Sequence, residues 1–170
     1  MKVGVISDTH DRLPTFRRSL EMFKRMRVGA ILHAGDYVAP FAARLLTPEH
    51  IGDTPVYAVF GNNDGERAGL KKVLPQLVEG PLRIELAGRL IVMHHFIDWM
   101  NPGDYAHADV VITGHTHEIF NEKQPRPGGE QLLLNPGECC GWVNERCSIA
   151  ILDLADLSAQ IVDVRGAPAG

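Results

Sequence analysis

The sequence comprises 170 residues, 45% of them hydrophobic and 22% charged, a composition typical of one globular domain with a substantial core. No apolar stretch approaches the roughly 18 residues that a membrane-spanning helix needs, so we expect no contact with a membrane. The net charge of −4 disfavours tight non-specific binding to nucleic acid, which we expect to matter only as a nucleotide-like substrate.

The first half of the chain alternates strand-like and helix-like segments. Pro14 opens a helix because its fixed φ suits the first turn, and Leu13, Phe16, Leu20 and Phe23 recur at helical spacing. The alternation predicts strands at 2–6, 30–32 and 56–60, a short helix at 41–46 and a helix at about 66–74. Such β-α repetition is typical of a doubly wound sheet.

The second half consists mostly of hairpins. Residues 82–86 and 89–93 flank a tight Ala87-Gly88 turn, and residues 109–113 form another strand. Two further hairpins are predicted, one from 119–122 and 131–134 around a loop at 123–129, and one from 148–153 and 159–164. We expect residues 1–165 to form a single domain of two packed sheets with helices outside, followed by a disordered tail at 166–170.

Polar side chains follow five of the strand-like runs within a few residues. Because ligands bind beyond the carboxyl ends of strands in α/β sheets, these side chains are expected to converge on one edge. They are Asp8 and His10, Asp36, Asn62, His94, and His115 with His117. Carboxylate, amide and imidazole together suit Mn, Fe, Zn, Co or Ni, and the set is too large for one tetrahedral zinc. The sequence therefore predicts a site for two divalent ions.

The charge of this predicted site favours a phosphate-ester substrate. Two divalent ions bring four positive charges, and Asp8 and Asp36 remove two, so about two remain to activate a bridging water. Once a hydroxide has formed, about one positive charge is left to meet a phosphodiester monoanion. We therefore expect the hydroxide that bridges the two ions to attack phosphorus in line with the leaving oxygen.

The ordered motifs resemble the five motifs of the calcineurin-like metallophosphoesterases, and the resemblance runs from Val3 to about Gly137. They are Asp8-Thr9-His10, Gly35-Asp36, Gly61-Asn62-Asn63-Asp64, His94, and Gly114-His115-Thr116-His117. The small size and the Asn135-Pro136-Gly137 turn are similar to the bacterial and archaeal phosphodiesterase branch. The resemblance implies an α/β fold, a four-layer α/β/β/α sandwich of two mixed sheets.

The same resemblance implies a dinuclear centre, with manganese as the first choice of metal and nickel next. Asp8, His10, Asp36 and His117 would bind the first ion. Asp36 would bridge to a second ion held by Asn62, His94 and His115.

Two positions depart from the pattern of the family. Where many relatives carry a His that protonates the leaving oxygen or steadies the transition state, this chain has Asn63, followed by Asp64. Asn63 is the predicted catalytic residue, and because it has no titrating proton we expect a preference for leaving groups of low pKa. His95 stands where relatives have Gly. It could supply the missing acid, but an outward or core-facing side chain is the favoured interpretation.

Several other residues, and the function itself, allow more than one interpretation. Phe96 and Trp99 could line a substrate pocket or only pack within their helix or loop. Trp142 could flank the pocket or support a subunit contact in a homo-oligomer. His33 could support the site or only pack in the interior. The three cysteines fit no disulfide or metal spacing and the N-terminus is no signal peptide, so a cytoplasmic location is expected. The competing functions are a partner-binding scaffold of this fold, like the retromer subunit, and a metallohydrolase acting on a carbon ester or amide.

Overall fold

The computed structural model describes residues 1–165, in which ten strands form two five-stranded sheets. The strands are β1 (Lys2–Ile6), β2 (Ile31–His33), β3 (Val56–Ala58), β4 (Leu82–Leu86), β5 (Arg89–Met93), β6 (Val110–Ile112), β7 (Ile119–Arg126), β8 (Gly129–Pro136), β9 (Ser148–Asp153) and β10 (Ser158–Asp163). The helices are α1 (Leu13–Arg25), α2 (Pro40–Ala43), α3 (Pro48–Ile51), α4 (Arg67–Val73) and α5 (Pro102–Tyr105), with 3₁₀ turns at Arg44–Leu46 and Ile97–Trp99. The tail predicted to be disordered, 166–170, lies outside the described residues.

Both sheets are mixed. The first has the order β10-β9-β1-β2-β3, in which β1, β2 and β3 are parallel and β9 is antiparallel to β1 and to β10. The second has the order β4-β5-β6-β8-β7, with β5, β6 and β8 parallel and an antiparallel strand at each edge. The predicted α/β class with two mixed sheets is confirmed.

The two sheets pack face to face, and helices cover the outer face of the first. Val3 and Val5 of β1 share one buried cluster with residues of the second sheet such as Ile91 and Val110. Gly4, on the opposite face of β1, meets the ring of Phe23 from α1 so closely that a Cβ there would lie 2.6 Å from it. Successive residues of a strand point to opposite faces of the sheet, so a strand buried on both faces contacts the second sheet with Val3 and Val5 and helix α1 with Gly4.

The longest strands form the hairpin β7-β8, and the prediction of a loop at 123–129 is wrong. Pairing continues to Arg126 and Gly129, so that only Pro127-Gly128 turn the chain. Pro125 is tolerated because β7 is an edge strand, where a missing backbone donor leaves no partner unpaired. Among residues 1–165, no helix has the length and apolar character needed to cross a bilayer.

Candidate metal centre

The parallel strands of both sheets end at one edge of the molecule, and the loops beyond them bend sharply. Five candidate ligands have a left-handed backbone, with φ of 53° at Asp8, 38° at His10, 62° at Asp36, 68° at His115 and 63° at His117. Residues other than Gly rarely adopt this conformation, although Asp and His tolerate it best, and each instance costs on the order of 1–3 kcal/mol. The surrounding structure therefore holds these side chains in positions that the free backbone disfavours.

Asp64 ties two of these loops together. Its buried carboxylate accepts hydrogen bonds from the backbone N–H of Asp36 (3.1 Å), Tyr37 (2.7 Å), Val38 (2.8 Å) and Gly61 (2.7 Å). It thus joins the loop after β2 to the loop after β3. The position of Asp64 after Asn63 in the third motif does not reveal this backbone role, which only the structure shows.

One group of side chains surrounds a first half-site. His10 Nε2 lies 3.7 Å from Asp8 Oδ1 and 3.5 Å from Asp36 Oδ2. His117 Nε2 lies 3.4 Å from Asp8 Oδ1 and 3.3 Å from His10 Nε2. Two imidazole nitrogens and two carboxylates therefore turn toward one small volume, and these are the four residues that the family resemblance assigns to the first ion.

A second half-site lies on the other side of Asp36. His95 Nε2 lies 3.3 Å from Asp36 Oδ2 and 2.9 Å from Asn62 Oδ1, and His115 Nδ1 lies 2.7 Å from Asn62 Oδ1. The other ring nitrogen of His95, Nδ1, lies 2.7 Å from the carbonyl oxygen of Ala34, which fixes the orientation of the ring. Asp36 Oδ2 is thus common to both half-sites.

The structure turns His95, and not His94, toward Asp36 and Asn62. The ring of His94 packs at 5.6 Å from that of Trp99, and its Nδ1 accepts a hydrogen bond from Phe96 N–H at 3.4 Å. The expectation that His95 points outward or into the core is wrong, and the placement of His94 at the centre does not match the geometry. Successive residues beyond β5 point to opposite sides, and residue type alone cannot say which of two adjacent histidines faces inward.

The residues present fit a bound cation. Within residues 1–165, Asp8 Oδ1 is fully buried and makes no hydrogen bond, so its charge lacks the compensation that burial demands. Burial raises the pKa of Asp36, but hydrogen bonds from His95 and Asn63 outweigh it and hold that pKa well below its usual value. Oxygen and imidazole donors around a buried carboxylate oxygen that accepts no hydrogen bond are the environment of a divalent transition metal.

Glu138, which the sequence analysis missed, lies behind His117. Its buried carboxylate is 2.9 Å from His117 Nδ1, and it accepts hydrogen bonds from the backbone N–H of Trp142, Val143 and Asn144. Burial raises the pKa of Glu138, but these hydrogen bonds dominate and lower it to about 2. An ionised carboxylate on Nδ1 holds the proton there and leaves Nε2 free to bind a metal. Its place just beyond β8 is the one signal that could have revealed it.

Asn63 contacts Asp36 twice. Its backbone N–H and its side-chain Nδ2 donate to Asp36 Oδ1 and Oδ2, both at 2.8 Å. His33 is fully buried, stacks on Tyr37 with ring centroids 3.8 Å apart, and contacts Thr9 Oγ1 at 3.3 Å. Asn63 therefore supports the shared carboxylate, and His33 packs beneath the loops.

Comparison with known proteins identifies the class of this chain. Residues 1–157 match the family model of the calcineurin-like phosphoesterase superfamily domain, so the chain belongs to that superfamily. It is a phosphoesterase, and hence a hydrolase. The resemblance that the motifs suggested is confirmed.

Individual relatives agree with this class. A phosphodiesterase of Methanocaldococcus jannaschii is 35% identical over 165 residues, which cover 90% of this chain and 93% of the relative. The solved structure of an archaeal phosphodiesterase superposes with a TM-score of 0.83 at 32% identity, covering 96% of this chain and 99% of the other. A phosphoesterase from E. coli has a TM-score of 0.72 at 22% identity, covering 97% of this chain and 100% of the other, and shows the shared fold alone.

Proposed function

We propose that this phosphoesterase is a phosphodiesterase whose centre holds two divalent metal ions. The observation that carries the proposal is the position of Asp36 Oδ2, which lies 3.5 Å from His10 Nε2 and 3.3 Å from His95 Nε2. A carboxylate oxygen shared by two sets of imidazoles is suited to bridging two ions. The name of the M. jannaschii relative supports the same activity.

The proposed ligands are divided between the half-sites. Asp8, His10, Asp36 and His117 would hold the first ion, and Asp36, Asn62, His95 and His115 would hold the second, with His95 in the place that the family resemblance assigns to His94. The donor types favour manganese, with nickel, iron, zinc or cobalt as alternatives. When bound, the ions supply activation of a water molecule and neutralisation of the phosphate.

The protein's own residues orient this chemistry. Glu138 keeps the proton of His117 on Nδ1, and Asn63 holds both oxygens of Asp36 in place. Because the charges of Asp8 and Asp36 offset about half of the charge of two divalent ions, the centre would keep a net positive charge that attracts a phosphate anion. A small phosphodiester is therefore the proposed substrate.

Three wider predictions accompany this proposal. Residues 1–165 act as one domain because loops of both sheets contribute to the same centre. The cytoplasmic location rests on three cysteines that are free and buried. Assembly into a homo-oligomer is also predicted, and measurement of the molecular mass in solution would test it.

The test is hydrolysis of bis(p-nitrophenyl) phosphate and p-nitrophenyl phosphate by protein saturated with manganese. We expect faster hydrolysis of the diester, and loss of activity to background in Asp36→Ala, which removes the shared carboxylate. Asp53→Ala, at an exposed loop position, is the matched control and should retain full activity. A protein that stays metal-free in excess manganese would be a scaffold, and hydrolysis of carboxylic esters but not of the diester would identify the alternative metallohydrolase.

A further inference from the structure

The chain contains two tryptophans, and one lies beside each half-site. Trp99 is 49% exposed, and its ring centroid is 5.8 Å from that of His115 and 6.0 Å from that of His95. Phe96 adds a second ring 4.2 Å from His115. A large apolar ring is thus presented to solvent next to the second half-site.

Trp142 occupies the matching position at the first half-site. It is 62% exposed, and its indole N–H donates to the carbonyl oxygen of His10 at 3.4 Å. Its backbone N–H is held by Glu138, and the guanidinium of Arg12 stacks 4.5 Å from the ring centroid. The ring is therefore held by a cation–π contact while most of its surface stays exposed to solvent.

The centre between these rings is poorly equipped to protonate a leaving oxygen. Asn63 has no titrating proton and already donates to Asp36, while the ring nitrogens of His95 face Ala34 and Asn62. Without a proton donor, hydrolysis is efficient only when the leaving group is stable as an anion. An alkoxide is a poor leaving group by this criterion, whereas a phosphate monoester, with a second pKa of about 6, leaves as an anion.

We infer that the preferred substrate is a dinucleotide whose two nucleosides are joined through a pyrophosphate, one base stacking on Trp99 and the other on Trp142. This inference rests on the proposed function of the same centre. Water adds its oxygen to one phosphorus, the bond from that phosphorus to the bridging oxygen breaks, and the bridging oxygen departs with its electron pair. Two nucleoside monophosphates result, and the protons of the water pass to solvent.

Exposed carboxylates next to residues of the centre limit the length of the substrate. Asp98 precedes Trp99 and Glu118 follows His117, and both carboxylates are exposed. Additional phosphates of a polynucleotide would approach these carboxylates and be repelled, in keeping with the net charge of −4. A dinucleotide, whose phosphates lie only at the centre, avoids that repulsion.

Binding can be tested by the fluorescence of single-tryptophan variants. Trp99→Leu keeps only Trp142, and Trp142→Leu keeps only Trp99, so each signal reports one side of the centre. The ligand is the methylene-bridged analogue of P1,P2-di(adenosine-5′) diphosphate, whose P–C–P link cannot be hydrolysed. We expect quenching in both variants, and competition without quenching by inorganic pyrophosphate. Unchanged fluorescence in either variant overturns the two-sided arrangement.

Kinetics provide the second test. We expect P1,P2-di(adenosine-5′) diphosphate to be hydrolysed at least roughly 100-fold faster than adenylyl-(3′→5′)-adenosine, whose leaving group is an alkoxide. Each Trp→Leu variant should raise the KM for the pyrophosphate compound by roughly five- to 100-fold, the range expected for loss of one base stack. Phe120→Ala, an exposed aromatic side chain on β7, is the control and should leave this KM unchanged.

The results separate the inference from the proposed function. Metal-dependent hydrolysis of bis(p-nitrophenyl) phosphate without hydrolysis of the dinucleotide refutes the substrate class alone. Absence of both activities in protein that binds no metal refutes the proposed function and the inference with it. Equal rates with the two dinucleotides refute the argument from the leaving group.

Discussion

The imidazoles of the adjacent residues His94 and His95 contact different parts of the molecule. His95 Nε2 lies 2.9 Å from Asn62 Oδ1, whereas the ring of His94 contacts Trp99. We predict that His95→Ala weakens the second metal position by at least tenfold, since it removes a proposed ligand, while His94→Ala binds two ions like the wild type. Manganese titration by calorimetry measures both. Loss of an ion in His94→Ala, with two ions retained in His95→Ala, would show that His94 and not His95 binds the second ion.

Glu138 provides a test of the first half-site. Removing the charge that holds the proton on His117 Nδ1 should weaken metal binding at that position by roughly 10- to 100-fold. We therefore predict a lower manganese affinity of one of two sites in Glu138→Gln, measured by the same titration. Glu130→Gln, at an exposed position on β8, should change neither site. An unaltered affinity in Glu138→Gln would mean that the carboxylate serves only the loop that follows β8.

Asn63 tests the preference for the leaving group. A histidine at this position would offer a titrating proton, so Asn63→His should increase turnover of diesters with alkyl leaving groups and change that of nitrophenyl esters little. The ratio of the two rates is the relevant measurement, because it cancels differences in metal loading. An unchanged ratio would show that residue 63 acts only by holding Asp36.

Single residues also show where sequence reasoning reached its limit. Asp8, His10 and His117 could be identified because each stands just beyond a strand-like run and has a side chain able to bind metal. The choice between His94 and His95 depends on how the backbone turns after β5, which neither residue type nor spacing encodes. Glu138 escaped notice because its function depends on burial and on its contact with His117, which only the folded chain reveals.

At the scale of elements, the loops after β2 and β3 depend on one buried carboxylate. Asp64→Ala would leave four backbone N–H groups without their acceptor, and a buried unsatisfied group costs about 1–3 kcal/mol. Since water can reach some of these groups once the loops relax, we predict a fall of about 3 kcal/mol in the free energy of unfolding. Urea denaturation measures it, with the exposed-site variant Asp53→Ala as control. A fall below about 0.5 kcal/mol, the level of an ordinary surface substitution, would contradict this role of Asp64.

The elements themselves were largely predictable, and the exceptions have physical reasons. Hydrophobic periodicity identified α1 and the hairpin β4-β5 within a residue or two. Gly and Pro at 125–129 predicted a long loop, but tertiary contacts extended β7 and β8 through it. Arg126 donates to Asp109 Oδ1 at 2.5 Å and to the carbonyl oxygen of His107 at 3.1 Å, which anchors the end of β7. Such long-range partners override local propensity.

At the scale of the whole molecule, the centre belongs to both sheets. Asp8, Asp36 and Asn62 follow strands of the first sheet, and His95, His115 and His117 follow strands of the second. The buried cluster between the sheets therefore fixes the distance between the two sets of proposed ligands. Sequence order could predict this architecture because β-α units and hairpins segregate along the chain, but the spacing between the sheets required the packed core.

The central claim is that two metal ions together make this chain a phosphodiesterase. The most direct measurement titrates metal-free protein with manganese while following hydrolysis of bis(p-nitrophenyl) phosphate and the number of ions bound per chain. We predict two bound ions, with activity that rises mainly as the second site fills. Full activity with a single bound ion, or with none, would contradict the account.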